Sequence, residues 1–108
     1  MISKELLSKV LGINNINSIW DIEDNELSYT TYADITQGTR DYDLNLDTLC
    51  RLIKEWMLAQ GHTCNVQMSS DITLVYIGSI DKNIEAKSEL HAVIKAAEFV
   101  MEQQDVSK

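Results

Sequence analysis

The chain has 108 residues, 44% of them hydrophobic and 24% charged, and carries a formal charge of −8. That length is one ordinary domain, able to bury roughly two-thirds of its unfolded surface without a metal or disulfide staple. The acidity argues against a nucleic-acid or anionic-membrane binder, which would carry a basic footprint, and no apolar run exceeds four residues (Leu74 to Ile77 is one), too few to span a bilayer.

Ser3 can cap a helix running to about Leu11, with Leu6, Leu7, Val10 and Leu11 as its apolar stripe and Gly12 as its terminator. From Ile16 the hydrophobic period changes to two. Segments 17–22, 26–33 and 39–46 carry β-formers, separated by the turn residues Glu23-Asp24-Asn25 and Thr36-Gln37-Gly38. They predict a three-stranded antiparallel meander. Asp47 then reads as the N-cap of a helix over 48–60 that places Leu49, Leu52, Ile53, Trp56 and Met57 on one side and ends at Gly61. Trp56, in the middle of that stripe, is expected to cost about 3–5 kcal/mol when truncated to Ala.

A second hairpin follows. Cys64, Val66 and Met68 alternate, Ser69-Ser70-Asp71 turn, and Ile72 to Ile77 return, with Gly78 and Ser79 breaking the strand. Asp81 is read as the start of the longest helix, about 82–103, striped by Ala86, Leu90, Val93, Ile94, Ala97, Val100 and Met101. The order α-β-β-β-α-β-β-α, with short turns between strands, predicts one α+β domain over 1–108 whose antiparallel sheet is packed by helices.

The charge is unevenly placed. Segment 21–47 holds eight acids (Asp21, Glu23, Asp24, Glu26, Asp34, Asp41, Asp43 and Asp47) against one base, Arg40, for a net −7. Along the third strand Asp41, Asp43, Asn45 and Asp47 alternate with Tyr42, Leu44 and Leu46, which suggests a half-buried strand with a carboxylate-lined outer face. A local excess of this kind suits docking on a basic surface, or simply keeps a sheet face solvated. Trp20, Tyr29, Tyr32 and Tyr42 lie in the same region and serve either as sheet core or as an interface rim.

Catalytic and metal motifs are weak. Asp41-Tyr42-Asp43-Leu44-Asn45-Leu46-Asp47 superficially resembles a calcium loop, but Leu46 stands where glycine is needed and Leu52 where a bidentate glutamate is needed. His62, Cys64, Cys50 and His91 lack metal-ligand spacing, although His62 and Cys64 share one face if both lie in a strand. Two cysteines without an export-type N-terminus read as reduced cytoplasmic thiols. No phosphate-binding glycine loop or nucleophile loop is present. The expectation is a protein that is not an enzyme and takes no cofactor or metal.

Two resemblances bear on function. Glu5-Leu6-Leu7-Ser8-Lys9-Val10-Leu11, Lys54-Glu55-Trp56 followed by Gly61, and Ala96-Ala97-Glu98-Phe99-Val100 together resemble small uncharacterised proteins encoded by bacterial phages and prophages. That resemblance implies a mobile-element origin and transfers no active site. The element order and acidity are also similar to class I type III secretion chaperones, which are dimers that wrap an effector's unfolded segment.

These readings converge on a cytoplasmic accessory protein that binds another protein through its acidic meander. The partner would present a basic surface, as the nucleic-acid-binding face of a host defence or DNA-handling protein does. Carboxylates on a strand, about 3.3 Å per residue and twice that for alternate ones, roughly imitate phosphate spacing. The expected contacts are Asp21, Glu23, Asp24, Glu26, Asp41, Tyr42 and Asp43, with no direct nucleic-acid or membrane binding. The alternative is a homodimeric secretion-type chaperone, joined through the apolar stripe of helix 48–60 or a strand edge.

Overall fold

The structure is a computed structural model and describes residues 2–21, 25–34 and 38–106. Helix α1 (Lys4–Leu11) begins where expected: the Ser3 hydroxyl accepts the Leu6 N–H at 3.1 Å. It ends at Gly12, whose φ of 71° is the left-handed conformation that glycine adopts without steric cost. Leu6 and Leu7 are fully buried. The Glu98 carboxylate accepts both the Ser3 N–H and hydroxyl, at 3.0 and 3.2 Å, which ties the start of α1 to the last helix.

The meander forms as β1 (Ile16–Asp21), β2 (Glu26–Asp34) and β3 (Gly38–Asn45), antiparallel and in that spatial order. Strict alternation sends Ile19, Leu27, Tyr29 and Leu44 toward the helices, and Ser28, Asp41 and Asp43 away from them. A bulge between Ile16 and Ser18 keeps both Ile16 and Ile19 on the inner side.

Helix α2 (Leu46–Ala59) starts slightly earlier than the sequence suggests. Asn45, not Asp47, is its N-cap: the Asn45 side-chain carbonyl accepts the N–H groups of Asp47 and Thr48 at 2.9 and 3.2 Å. Asp47 instead supplies negative charge to the first turn, where it favours the helix dipole. Leu49, Ile53 and Met57 are fully buried at i, i+4, i+8 spacing. Trp56 sits at the margin of that stripe, half-buried, so its truncation is expected to cost less than the stripe pattern implied.

The second sheet departs from expectation by one strand. β4 (Cys64–Met68) and β5 (Thr73–Ile77) form the anticipated hairpin, but residues 82–86 form a third strand, β6 (Lys82–Ala86), antiparallel to β5. A single 3-10 turn over Gly78–Ile80 and Asp81 in the left-handed conformation (φ 49°) reverse the chain between them. The Tyr76 hydroxyl fixes that turn by donating to the Asp81 carboxylate at 2.8 Å. Helix α3 (Glu89–Val106) therefore starts at Ser88, whose hydroxyl accepts the His91 N–H at 3.2 Å, and not at Asp81.

The architecture is α+β, in the order α-β-β-β-α-β-β-β-α. Helix α3 is its centrepiece. Ala92, Val93, Ile94, Ala96, Ala97, Val100 and Met101 are buried around most of its circumference, against α1, α2, β5 and β6. The molecule is a slab of 47 × 38 × 17 Å with a radius of gyration of 14.7 Å, above the about 13 Å usual for a sphere-like domain of this length. Such thinness leaves sheet surface outside the core.

Candidate functional site

The acidic outer face of the first sheet is built by register. Trp20 pairs with Ser28 and Ser28 with Asp43, so these three residues form one cross-strand row. Ser18, Thr30 and Asp41 form the next row, and Tyr32 with Thr39 the one after it. Hydroxyls tie neighbouring strands together within each row. The Ser28 hydroxyl donates to Asp43 at 2.5 Å, and the Ser18 and Thr30 hydroxyls lie 2.8 Å apart. Asn15 pins the end of β2, its side-chain amide donating to the Tyr32 carbonyl at 2.8 Å while its own carbonyl accepts the Tyr32 N–H.

The result is a scaffold of short hydroxyl side chains from which two carboxylates and two aromatic rings protrude. Asp41 and Asp43 are exposed, Trp20 is 50% exposed and Tyr32 57%. Exposed aromatic rings supply contact area at little entropic cost, and here they share a face with two carboxylates.

The structure brings only some of the expected contacts together. Asp41 and Asp43 share the outer face, joined by the half-buried Glu26, which pairs with Asn45 at the end of the same side. Tyr42 does not belong with them. It lies on the inner side, its ring stacked on Tyr29 at 5.3 Å between centroids and 19° between planes. That pair lines an open recess of about 280 Å³ with Ile13, Asn15 and Thr31, and burial followed by the Tyr42 phenol pushes the Tyr29 hydroxyl above its usual value. Asp21 pairs with Leu27 at the end of β1, while Glu23 and Asp24 lie outside the described residues. Trp20 and Tyr32, which the sequence left as either sheet core or interface rim, lie on the outer face and are exposed.

Several other polar groups are held in pairs. Lys54 on α2 forms a half-buried ion pair with Glu89 on α3, and that hydrogen bond raises the Lys54 ammonium above its usual value. Cys50 and Cys64 are free and half-buried, both pushed up chiefly by burial, with Lys54 opposing the shift. The Cys64 thiol points at the Met57 sulfur at 3.4 Å. His62 precedes β4 and does not share a strand face with Cys64; its Nδ1 lies 2.5 Å from the Ser79 hydroxyl. Among the described residues no group of three or more His, Cys, Asp or Glu is placed to hold a metal ion, and no helix is long and apolar enough to cross a membrane.

The apolar stripe of α2, expected as a dimer seam under the chaperone alternative, is spent inside the chain: Leu49, Ile53 and Met57 belong to the buried core. Against known proteins the chain gives no match, whether to a family model, a curated protein or a solved structure.

Proposed function

We propose that this chain is a non-enzymatic accessory protein of the phage type that acts in the cytoplasm by binding another protein through the outer face of its first sheet. The observation that carries the reading is that Asp41 and Asp43 share one face with the exposed rings of Trp20 and Tyr32. The partner this face fits is a basic protein surface that ordinarily meets phosphates. Carboxylates about 6.6 Å apart on a strand take the place of phosphate charges, and the flanking rings stack on arginine or lysine side chains of the partner. Electrostatic attraction of this kind sets the association rate and makes binding sensitive to salt.

The test is affinity capture from host lysate with stepwise salt elution, using the wild-type chain and a D41N/D43N variant. A basic protein is expected to elute at moderate salt, to lose its nucleic acid when the wild-type chain is added, and to be captured poorly by the variant. Equal capture by a correctly folded variant overturns the reading.

A further inference from the structure

We propose that the cavity between the end of β6 and the first turns of α3 is a binding site for a small organic anion of the phosphate-monoester class. The cavity is an open recess of about 430 Å³ lined by Ile72, Glu85, Ala86, Lys87, His91 and Lys95. That volume falls in the range of small-molecule sites. It lies on the second sheet, apart from the acidic face of the first.

The lining chemistry is unusual for this chain. A protein with eight more negative than positive charges places two lysines and a histidine around one recess. Lys87, His91 and Lys95 are spaced by four residues, and the last two sit one turn apart on one side of α3. Glu85 is the only acid in the lining, and alternation along β6 puts it on the sheet face opposite Ala86, away from the helix. The Glu85 backbone carbonyl accepts a hydrogen bond from the Lys95 ammonium at 3.3 Å, which holds that cation at the rim. His91 is positioned too, its Nδ1 lying 2.6 Å from the Ser88 hydroxyl, which leaves the Nε2 edge of the ring for a ligand.

Ile72 and Ala86 supply an apolar part of the lining. Two lysines and a histidine lining one recess from a strand end and a helix suit a tetrahedral anion with several oxygens, since lysine binds phosphate as a point charge from any direction. The apolar part then takes the organic body, so an ester should bind better than the bare ion.

The experiment is a titration of isotope-labelled full-length protein followed by amide chemical shifts, with phenyl phosphate, inorganic phosphate and benzyl alcohol as probes. Phenyl phosphate is expected to give saturable shifts centred on Ala86, Lys87 and His91, with inorganic phosphate weaker and benzyl alcohol not saturating. A K87Q/K95Q variant, both positions being exposed, should keep its fold by the same spectra and bind phenyl phosphate roughly tenfold or more weakly. Unchanged affinity in that variant overturns the site, as does absence of saturation with phenyl phosphate. Benzyl alcohol binding as well as phenyl phosphate overturns the anion assignment, and inorganic phosphate binding as tightly as the ester overturns the organic part.

Discussion

The two three-stranded sheets have the same topology and opposite employment. In the second, the central strand β5 presents Thr73, Val75 and Ile77 to α3 and buries all three. In the first, the central strand β2 buries Leu27, Thr30 and Thr31, while its neighbours carry Trp20, Tyr42, Asp41 and Asp43 into solvent. One meander is therefore mostly structure and the other mostly surface. Excess negative charge raises the free energy of a folded sheet through self-repulsion, and it is concentrated on the sheet that contributes less to the core. The second sheet, near neutral and covered by α3, can stabilise the fold without the first being optimised for stability.

The largest effect that separates the two sheets is a core truncation. Ile77→Ala, at a fully buried position under α3, should lower unfolding free energy by about 2–5 kcal/mol, read from the denaturant midpoint. Trp20→Ala removes a bigger side chain from the first sheet yet should cost less than about 1 kcal/mol, because half of it already faces water. Comparable losses would mean that the Trp20 face is packed in solution, and the contrast between the sheets would fail.

An intermediate effect concerns the thiols that pack beside α2. Burial pushes the pKa of both the Cys50 and the Cys64 thiol up, so the folded state holds their protons more firmly than the unfolded chain does. Their contribution is complete below the unfolded thiol value and is lost as pH rises through the folded one. Stability should thus decline above about pH 9. C50A and C64A should each flatten that decline in urea midpoints measured between about pH 8 and pH 9.5, below the range where the raised Tyr29 hydroxyl titrates. An identical alkaline slope in both variants would assign the decline to other groups.

Much of this was legible in the sequence, and the failures have physical causes. The Ser3 cap, Gly12 and the alternation of Tyr42 and Leu44 with Asp41 and Asp43 act locally, so local reasoning finds them. Strand β6 was hidden because its turn places Asp81, not a glycine, in the left-handed conformation. Ala86 also fell in phase with Leu90 and Val93, which extended the apparent helix stripe backwards. The signal that could have corrected this is Ser88 followed by Glu89, a cap residue and a first-turn acid. Tyr42 was grouped with the acids by proximity in sequence, whereas adjacent strand residues face opposite ways. The cavity at Lys87, His91 and Lys95 exists only because β6 ends where α3 begins, so no helix extending over 82–103 could have revealed it.

The smallest effect is the sharpest check on what the acidic face is for. If Asp41 and Asp43 are a surplus of charge held for a partner, relieving their repulsion should help the isolated chain. D41N/D43N should then raise stability by a few tenths of a kcal/mol at about 10 mM salt, and the gain should vanish near 0.5 M, where screening reaches within a few ångströms. The asparagine side chain keeps an oxygen that can accept the Ser28 hydroxyl, so that bond, 2.5 Å in the native chain, survives the substitution. A variant that is less stable at low salt would show that the carboxylates hold the meander together through their hydroxyl neighbours. In that case their charge serves the sheet itself, and the case for a partner would rest on Trp20 and Tyr32 alone.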